Sequence, residues 1–587
     1  MRIFKDLWWY FKREKKSYLL GIMVLMFVSL FELIPPYVIG VMVDGMKQQT
    51  LTSGEILKWM LLLLGIGVVT YILRYLWRIL LFGASTRLGR LLRNQLFYHF
   101  TRMSPRFYHK RRTGDLMAHA TNDVQAVEAT AGEGVLTLVD SLMMGGLVIL
   151  MMAIIDWKLT LIALAPMPFM AWTTSWYGSM LHERFHKAQE AFAVLNGKVQ
   201  ENVTGVRVVK AFGLEEQEKR SFARLTEDTV NKNIAVARID ALFDPTIALI
   251  VAISYFLTIA FGSVNIANGT MSIGLLTTFS IYLGRLIWPM LAFGMLFNIV
   301  ERGRASYDRI RKLLQVETEI TDRPGASTET PRGDLTLQID SFTYPDKKAP
   351  TLQGIRVNLK QGQTLGIVGK TGSGKTTLLK LLLREFDCHD NGILIGGKPI
   401  TAYTLDALRS AIGYVPQDHV LFSATIAENI AFGKPHATRE EIEEAAKIAC
   451  IHEDIMHFPE GYETVVGERG VTLSGGQKQR ISIARALLLN PEILILDDSL
   501  SAVDAKTEQI IFEALKENRK GKTTIVSAHR LSAVEHAEQI IVLDEGKIIE
   551  QGTHNQLLEL DGWYAMMYHR QQLESLVAQG GGIHGDA

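Results

Sequence analysis

The most definite chemistry in this 587-residue sequence lies in one short run: Gly369, Lys370, Thr371, Gly372, Ser373, Gly374, Lys375 and Thr376. Its spacing fits the phosphate-binding pattern G-x-x-x-x-G-K-[ST]. Glycines let successive backbone N–H groups curl around a phosphate at the positive end of the helix that follows. Lys375 then reaches the β- and γ-phosphates, the Thr376 hydroxyl is a ligand for Mg²⁺, and Thr377 stands beside them. A second run, residues 492–497, is apolar and ends in Asp497. Alone, that aspartate would be a turn cap; beside the phosphate loop it is a second Mg²⁺ ligand, acting through water. The residue after it, Asp498, is another carboxylate. Together these groups form a site for ATP and Mg²⁺.

Such a loop needs a buried strand before it and a helix after it, and the sequence supplies both, an apolar run at 364–369 and a helical one at 376–386. Short β-rich runs alternate with helical ones over residues 334–575, the pattern of an α/β domain around a mainly parallel sheet. A polar stretch with Pro324, Gly325 and Pro331 marks residues 316–333 as a linker. Residues 576–587 form a flexible tail.

The first 315 residues have a different texture. The sequence is 48% hydrophobic and 21% charged, a mixture that suits a membrane part joined to a soluble one. Apolar stretches at 18–43, 56–83, 134–155, 159–181, 241–261 and 273–300 are each long enough to cross a bilayer as a helix. Lys and Arg crowd the N-terminus and the stretches after the second and fourth spans, while the other loops hold only Lys47 and Lys158. By the positive-inside rule both termini are cytoplasmic. Pro35 and Pro36 predict a kink in the first span. The formal net charge of +1 gives no argument for a nucleic-acid partner. Cys388 and Cys450, the two cysteines, are far apart and read as packing residues rather than a disulfide or metal pair. The basic N-terminus and long first span read as an uncleaved anchor, and Asn268-Gly269-Thr270 as a chance match to a glycosylation acceptor.

Between the two nucleotide motifs lie Leu473, Ser474, Gly475, Gly476 and Gln477, continuing to Arg480, a run that resembles the signature of ABC ATPases. Other family marks follow in the family's order. Tyr344 resembles the adenine-stacking aromatic and Gln417 the Q-loop, which also contacts Mg²⁺. Glu468 resembles the exporter X-loop, Asp504 the D-loop, and His529 the switch histidine. With six spans before one ATPase domain, the chain is similar to bacterial half-transporters of the multidrug exporter group. The resemblance implies a six-span helical transmembrane domain of the exporter-type ABC fold followed by an α/β ATPase domain. It implies coupling helices at 111–122 and 212–222, a multi-pass location in the bacterial plasma membrane with the ATPase domain cytoplasmic, and ATP-driven export. It also implies dimerisation, each signature closing over ATP on the other subunit's loop, with Glu468 and Asp504 communicating between subunits.

One position departs from that pattern. The family usually has Glu after the strand-end Asp, and here stands Asp498, whose carboxylate is about 1–1.5 Å shorter in reach. A misplacement of that size slows chemistry on the order of a hundredfold. The chain thus resembles the degenerate-site subunit of heterodimeric bacterial multidrug exporters, its partner a second half-transporter with a competent Glu. A homodimer with slow hydrolysis is the alternative.

Ionisable residues inside spans are functional candidates: Glu32, Arg74, Arg78, Asp140 and Arg285. Asp140 and Glu32 are candidate contacts for cationic cargo, with Met- and aromatic-rich spans suited to small hydrophobic or cationic substrates. The bland alternative is that these charges pair with one another. A lipid flippase of the same fold is the competing function, and membrane lipids are partners in either.

Overall fold

The computed structural model describes residues 2–388, 392–467 and 473–580, the side chains of 293 and 575–580 excepted. It divides into two units, residues 1–103 with 108–317 and residues 104–107 with 318–587.

The first unit is helical. Its main elements are α1 (Lys15–Glu32), α2 (Ile34–Lys47), α3 (Ser53–Arg102), α4 (Val135–Leu164), α5 (Met167–Thr204), α6 (Glu215–Ala267) and α7 (Ile273–Leu314). The predicted kink is a break at Leu33, followed by prolines in the first turn of α2, where a missing N–H is tolerated. The Tyr282 hydroxyl donates to the Leu33 carbonyl at 2.7 Å. α2 and α7 approach so closely that a side chain on Gly40 or Gly274 would strike the other helix's backbone. Asp44 fixes the crossing by accepting from the Gly274 amide at 2.7 Å and from the Ser272 hydroxyl at 2.5 Å.

Among the described residues, five helical stretches are long and apolar enough to cross a membrane. The stretch predicted as a fourth span, 159–181, straddles the end of α4 and the start of α5 instead of forming one helix. Pro166, which has no N–H to continue the ladder, stands at the junction as the N-cap of α5. Asp156 interrupts α4 with extended backbone and caps the turn beyond it, accepting from the amides of Lys158 at 2.9 Å and Leu159 at 3.0 Å. The Asn265 amide nitrogen reaches its other oxygen at 2.7 Å. The segment 212–222, expected to be a coupling helix, is not one separate helix: it spans the end of one helix, a glycine turn and the start of α6. The short helix there is Val206–Phe212, closed by Gly213 in the left-handed conformation, a glycine stop. The other segment, 111–122, holds the helix Thr113–Ala118 and most of the wide turn His119–Asp123.

Among the described residues the second unit holds ten strands: β1 (Leu335–Phe342), β2 (Leu352–Leu359), β3 (Thr364–Gly369), β4 (Ile393–Ile395), β5 (Lys398–Pro399), β6 (Ile412–Val415), β7 (Ile493–Asp497), β8 (Thr523–Ser527), β9 (Gln539–Asp544) and β10 (Lys547–Gly552). A four-stranded antiparallel sheet runs β2-β1-β4-β5, and a six-stranded sheet runs β10-β9-β3-β8-β7-β6. In the larger sheet, β3, β8, β7 and β6 are parallel neighbours. β7 and β8 are buried at every position, as continuous apolar strands covered on both faces should be. Cys388 and Cys450 are free, half-buried and packed against the cores.

Candidate functional site

Because β3, β8, β7 and β6 run parallel side by side, their C-terminal ends share one edge of the sheet, where ligands bind in open α/β folds. The phosphate loop leaves β3, His529 follows β8, Asp497 and Asp498 end β7, and Gln417 follows β6. The sequence places Asp497 beside the loop, and it stands there: β8 lies between β3 and β7 in the sheet, yet the Asp497 carboxylate reaches the Thr376 hydroxyl and Lys375.

The loop folds as its glycines require. Gly369, Gly372 and Gly374 have φ of 146°, 83° and 108°, values that L side chains rarely adopt. A Cβ on Gly369 would strike the Leu543 carbonyl. Helix α8 (Lys375–Leu382) starts at Gly374, so its free amides point into the loop. Lys375 is buried, and its ammonium donates to the Gly369 carbonyl at 2.8 Å and the Lys370 carbonyl at 3.0 Å. Burial pushes its pKa down, with Asp498 and Asp497 pulling the other way. The Lys370 side chain pairs with Asp544 at 3.7 Å, and Thr371 stands in the loop's turn.

Asp497 is buried, and burial raises its pKa; the Ser527 and Thr376 hydroxyls and Lys375 oppose that shift. Two buried oxygens, Asp497 Oδ2 and Ser373 Oγ, have no hydrogen-bond partner among the described residues. Buried polar atoms are normally satisfied, and these fit a site shaped for phosphate oxygens and a hard cation held near Thr376 and Asp497. Asp498 is half-buried in a left-handed backbone conformation (φ 46°), which Asp tolerates better than most residues. Its amide donates to the Ser527 carbonyl at 2.8 Å, tying β7 to β8. Gln417 and His529 are exposed.

Tyr344 packs edge-on against Phe342 and Phe386, and its hydroxyl donates to the Thr377 hydroxyl at 3.0 Å. The aromatic is thus locked to the helix that follows the phosphate loop. At the signature, Ser474 caps helix α9 (Gly475–Leu488) in a reciprocal box. The Ser474 hydroxyl accepts from the Gln477 amide at 3.2 Å, and the Gln477 side chain accepts from the Ser474 amide at 3.0 Å. Leu473 is buried behind it. A side chain on Gly476 would crowd the Ala502 carbonyl, and the Gln479 side chain accepts from the Ala502 amide at 3.0 Å. Asp504 caps α10 (Ala505–Asn518) by accepting from the Thr507 amide at 2.9 Å. Glu468 lies outside the described residues.

Three groups here were not found by motif. Arg530 donates to the Val503 carbonyl at 3.1 Å and to Glu508 at 3.3 Å; Glu508 is buried, and burial raises its pKa. Gln571, on α11 (Trp563–Gly580), donates to the His529 carbonyl and accepts from the Leu531 amide, both at 2.9 Å. His419, two residues beyond Gln417, has both ring nitrogens buried without a hydrogen bond among the described residues, and burial lowers its pKa. Each depends on a partner distant in sequence or on burial, so no local pattern announces it.

The membrane unit holds a second candidate site, a cavity of about 530 Å³ between α1, α3, α4 and α7. Its walls carry all five intramembrane ionisable residues and Glu133. Glu32 accepts from Arg74 and, at 3.1 Å, from Arg285, so this predicted cation contact is engaged by two guanidinium groups. Asp140 stands within electrostatic reach of Glu32 and Arg74. Among the described residues neither it, Glu133 nor Arg78 makes an ion pair or hydrogen bond; Arg78 rests over the Trp77 ring at 5.5 Å. Wall positions recur at helical spacing, Glu133, Thr137, Asp140 and Met144 on one face. That signal in the sequence points to Glu133 as a cavity residue.

Known proteins share this arrangement. The family model described as "ABC transporter transmembrane region" matches residues 18–290, and "ABC transporter" matches residues 352–501. A multidrug resistance-like ATP-binding protein, MdlA of Escherichia coli, is 50% identical over 98% of both chains. A probable multidrug resistance ABC transporter ATP-binding/permease protein, YheI of Bacillus subtilis, is 48% identical over 99% of both. The solved structure of a bacterial Atm1-family ABC exporter with ATP bound superposes with a TM-score of 0.76 at 28% identity, covering 96% of this chain and 98% of that one.

Proposed function

Given that this chain belongs to the exporter-type ABC transporters, in which an ATPase domain couples ATP hydrolysis to multidrug-type export, we propose that it is one subunit of a heterodimer. It binds ATP on its own phosphate loop, hydrolyses it slowly there, and lends its signature helix to a faster site on a different half-transporter. The observation that carries this reading is Asp498, an aspartate where the resemblance calls for glutamate.

The roles follow from the sheet edge. The amides of the 369–374 loop and the first turn of α8 cradle the phosphates, Lys375 balances their charge, and Tyr344 stacks the adenine. Thr376, Asp497 and Gln417 would hold Mg²⁺, which neutralises charge on the β- and γ-phosphates. Asp498 orients water against the γ-phosphate with a carboxylate set back by about one methylene. His529 contacts the γ-phosphate from the far side. The capped N-terminus of α9, with Ser474, Gly475 and Gly476 in its first turn, presents free amides to ATP on the partner's loop. Asp504 and Glu468 pass closure between subunits. In the membrane unit, small hydrophobic or cationic drug-like compounds pass through the cavity that holds Glu32 and Asp140.

The test is ATP turnover in membranes by the chain alone, the chain with a half-transporter carrying the catalytic Glu, and each with Asp498→Glu. The reading expects the lone chain to be nearly inactive and the pair active. It expects Asp498→Glu to raise turnover at this chain's own site on the order of a hundredfold. A lone chain that dimerises and hydrolyses ATP briskly would sink the degenerate-site heterodimer and leave the exporter assignment in place.

A further inference from the structure

The cavity between α1, α3, α4 and α7 is lined by three carboxylates, Glu32, Glu133 and Asp140, and three guanidinium groups, Arg74, Arg78 and Arg285. Its formal charge is therefore zero. The charges are unevenly engaged. Glu32 is shared between Arg74 and Arg285, which leaves that trio one positive charge in excess. Asp140, within electrostatic reach of Glu32 and Arg74, balances the excess without closing a contact of its own. Arg78 and Glu133 remain without an ion pair among the described residues, and the rest of the wall includes Trp77, Trp288, Met144 and Met295.

A cavity that is neutral as a whole, polar in two places and apolar elsewhere discriminates by total charge. A lipophilic monocation that took Asp140 would strip the counter-charge from the arginine pair and leave one positive charge uncompensated among membrane helices. An anion on Arg78 would leave an excess negative charge. Uncompensated charge among membrane helices is disfavoured. A ligand carrying both charges meets Asp140 with its cation and Arg78 with its anion and leaves the cavity neutral. Arg78 has five N–H donors in a planar fork suited to a carboxylate, sulfonate or phosphate. The aromatic and thioether wall takes an apolar body without demanding one shape.

The geometry points to zwitterionic amphiphiles, a cationic nitrogen and an oxyanion on one apolar body, as the cargo class of this cavity. This rests on the export reading above and narrows it. A zwitterionic lipid headgroup and a free zwitterionic compound share this chemistry.

The experiment uses the full-length chain in whichever assembly turns over ATP, reconstituted in lipid nanodiscs, with three twelve-carbon probes below their micelle concentrations: dodecyl sulfobetaine, dodecyltrimethylammonium and dodecyl sulfate. Binding is measured directly, and ATP turnover in parallel. The sulfobetaine should bind about tenfold tighter than either singly charged homologue. Arg78→Gln should weaken sulfobetaine and sulfate about tenfold and leave trimethylammonium bound at least as tightly; Asp140→Asn should weaken sulfobetaine and leave sulfate bound at least as tightly. The spared probe in each variant shows that the cavity is still folded. Trimethylammonium binding as tightly as sulfobetaine, variants that weaken all probes equally, or no binding by any probe would overturn the assignment. Discs of phosphatidylethanolamine against phosphatidylglycerol separate the sources. Competition by phosphatidylethanolamine identifies a headgroup site, and equal affinity in both identifies a free compound; either supports the charge rule. If the charge preference holds while probes neither alter turnover nor cross the membrane, the export reading fails and the cavity's specificity stands.

Discussion

Lys375 and Asp497 are buried at the end of a parallel sheet among backbone carbonyls, hydroxyls and helix amides, whereas Glu32, Arg74 and Arg285 hold one another across three membrane helices. The phosphate site keeps Lys375 out of an ion pair with Asp497 and leaves buried oxygens unpaired, which readies it for a ligand that brings charge of its own. The membrane unit cancels its charges internally, so a ligand must come balanced. Affinity for nucleotide therefore resides in a few contiguous residues. The membrane site depends on several helices keeping their places.

The largest effect that would test this contrast is Lys375→Ala. Loss of its charge-assisted contacts should weaken nucleotide binding on the order of a hundredfold, read with a fluorescent ATP analogue, while probe binding in the membrane cavity stays unchanged. A loss below about fivefold would mean that the backbone amides suffice without the lysine.

Next is Glu32→Gln, which leaves two arginines facing each other without their shared partner. Because the Arg74 side chain is 55% exposed, the destabilisation should be about 2 kcal/mol rather than the larger penalty of a fully buried pair. It would appear as earlier thermal unfolding of the membrane unit with nucleotide affinity intact. Glu32→Gln with Arg74→Gln should recover part of the loss; no recovery would mean that Glu32 acts through packing alone.

The smallest effect is a pH dependence with two signs. Burial lowers the Lys375 pKa, so between that lowered value and the ordinary lysine range the unfolded chain is protonated there and the folded chain is not. Stability of the nucleotide-free ATPase unit should thus rise with pH through this window. ATP favours the charged lysine, so its affinity should fall a few-fold over the same window. Unfolding and nucleotide titrations as pH rises toward the ordinary lysine range would check both signs. No change in either below that range would show that the lysine titrates like an exposed one.

Most of the ATPase site was legible because its chemistry is local. Gly369 to Thr376 forms one loop, and Ser474 and Gln477 cap one helix from four consecutive residues. Strand order was not legible: nothing near Asp497 says that β8 will lie between its strand and β3, because that depends on pairing between residues 493–497 and 523–527. Glu508 and Arg530 were missed for the same reason, as each is unremarkable without its partner. In the membrane unit the ionisable residues stood out one by one. Their cancellation did not, since Glu32 reaches partners 42 and 253 positions away. The stretch 159–181 passed for a single span because its apolar composition outweighed Pro166 in the reading. In the fold the proline stands where one helix gives way to the next.

The segment around His529 is anchored at two points. Arg530 ties it to the 501–504 turn and Gln571 ties it to the terminal helix, the latter from 42 residues away. A backbone held in this way does not shift alone, although the exposed ring can turn about its own side-chain bonds. Any backbone movement of this segment drags the turn or levers the helix, so α11 serves as a strut. Shortening the chain ahead of Gln571 would slacken that strut and free the backbone at His529 from a helix 42 residues away.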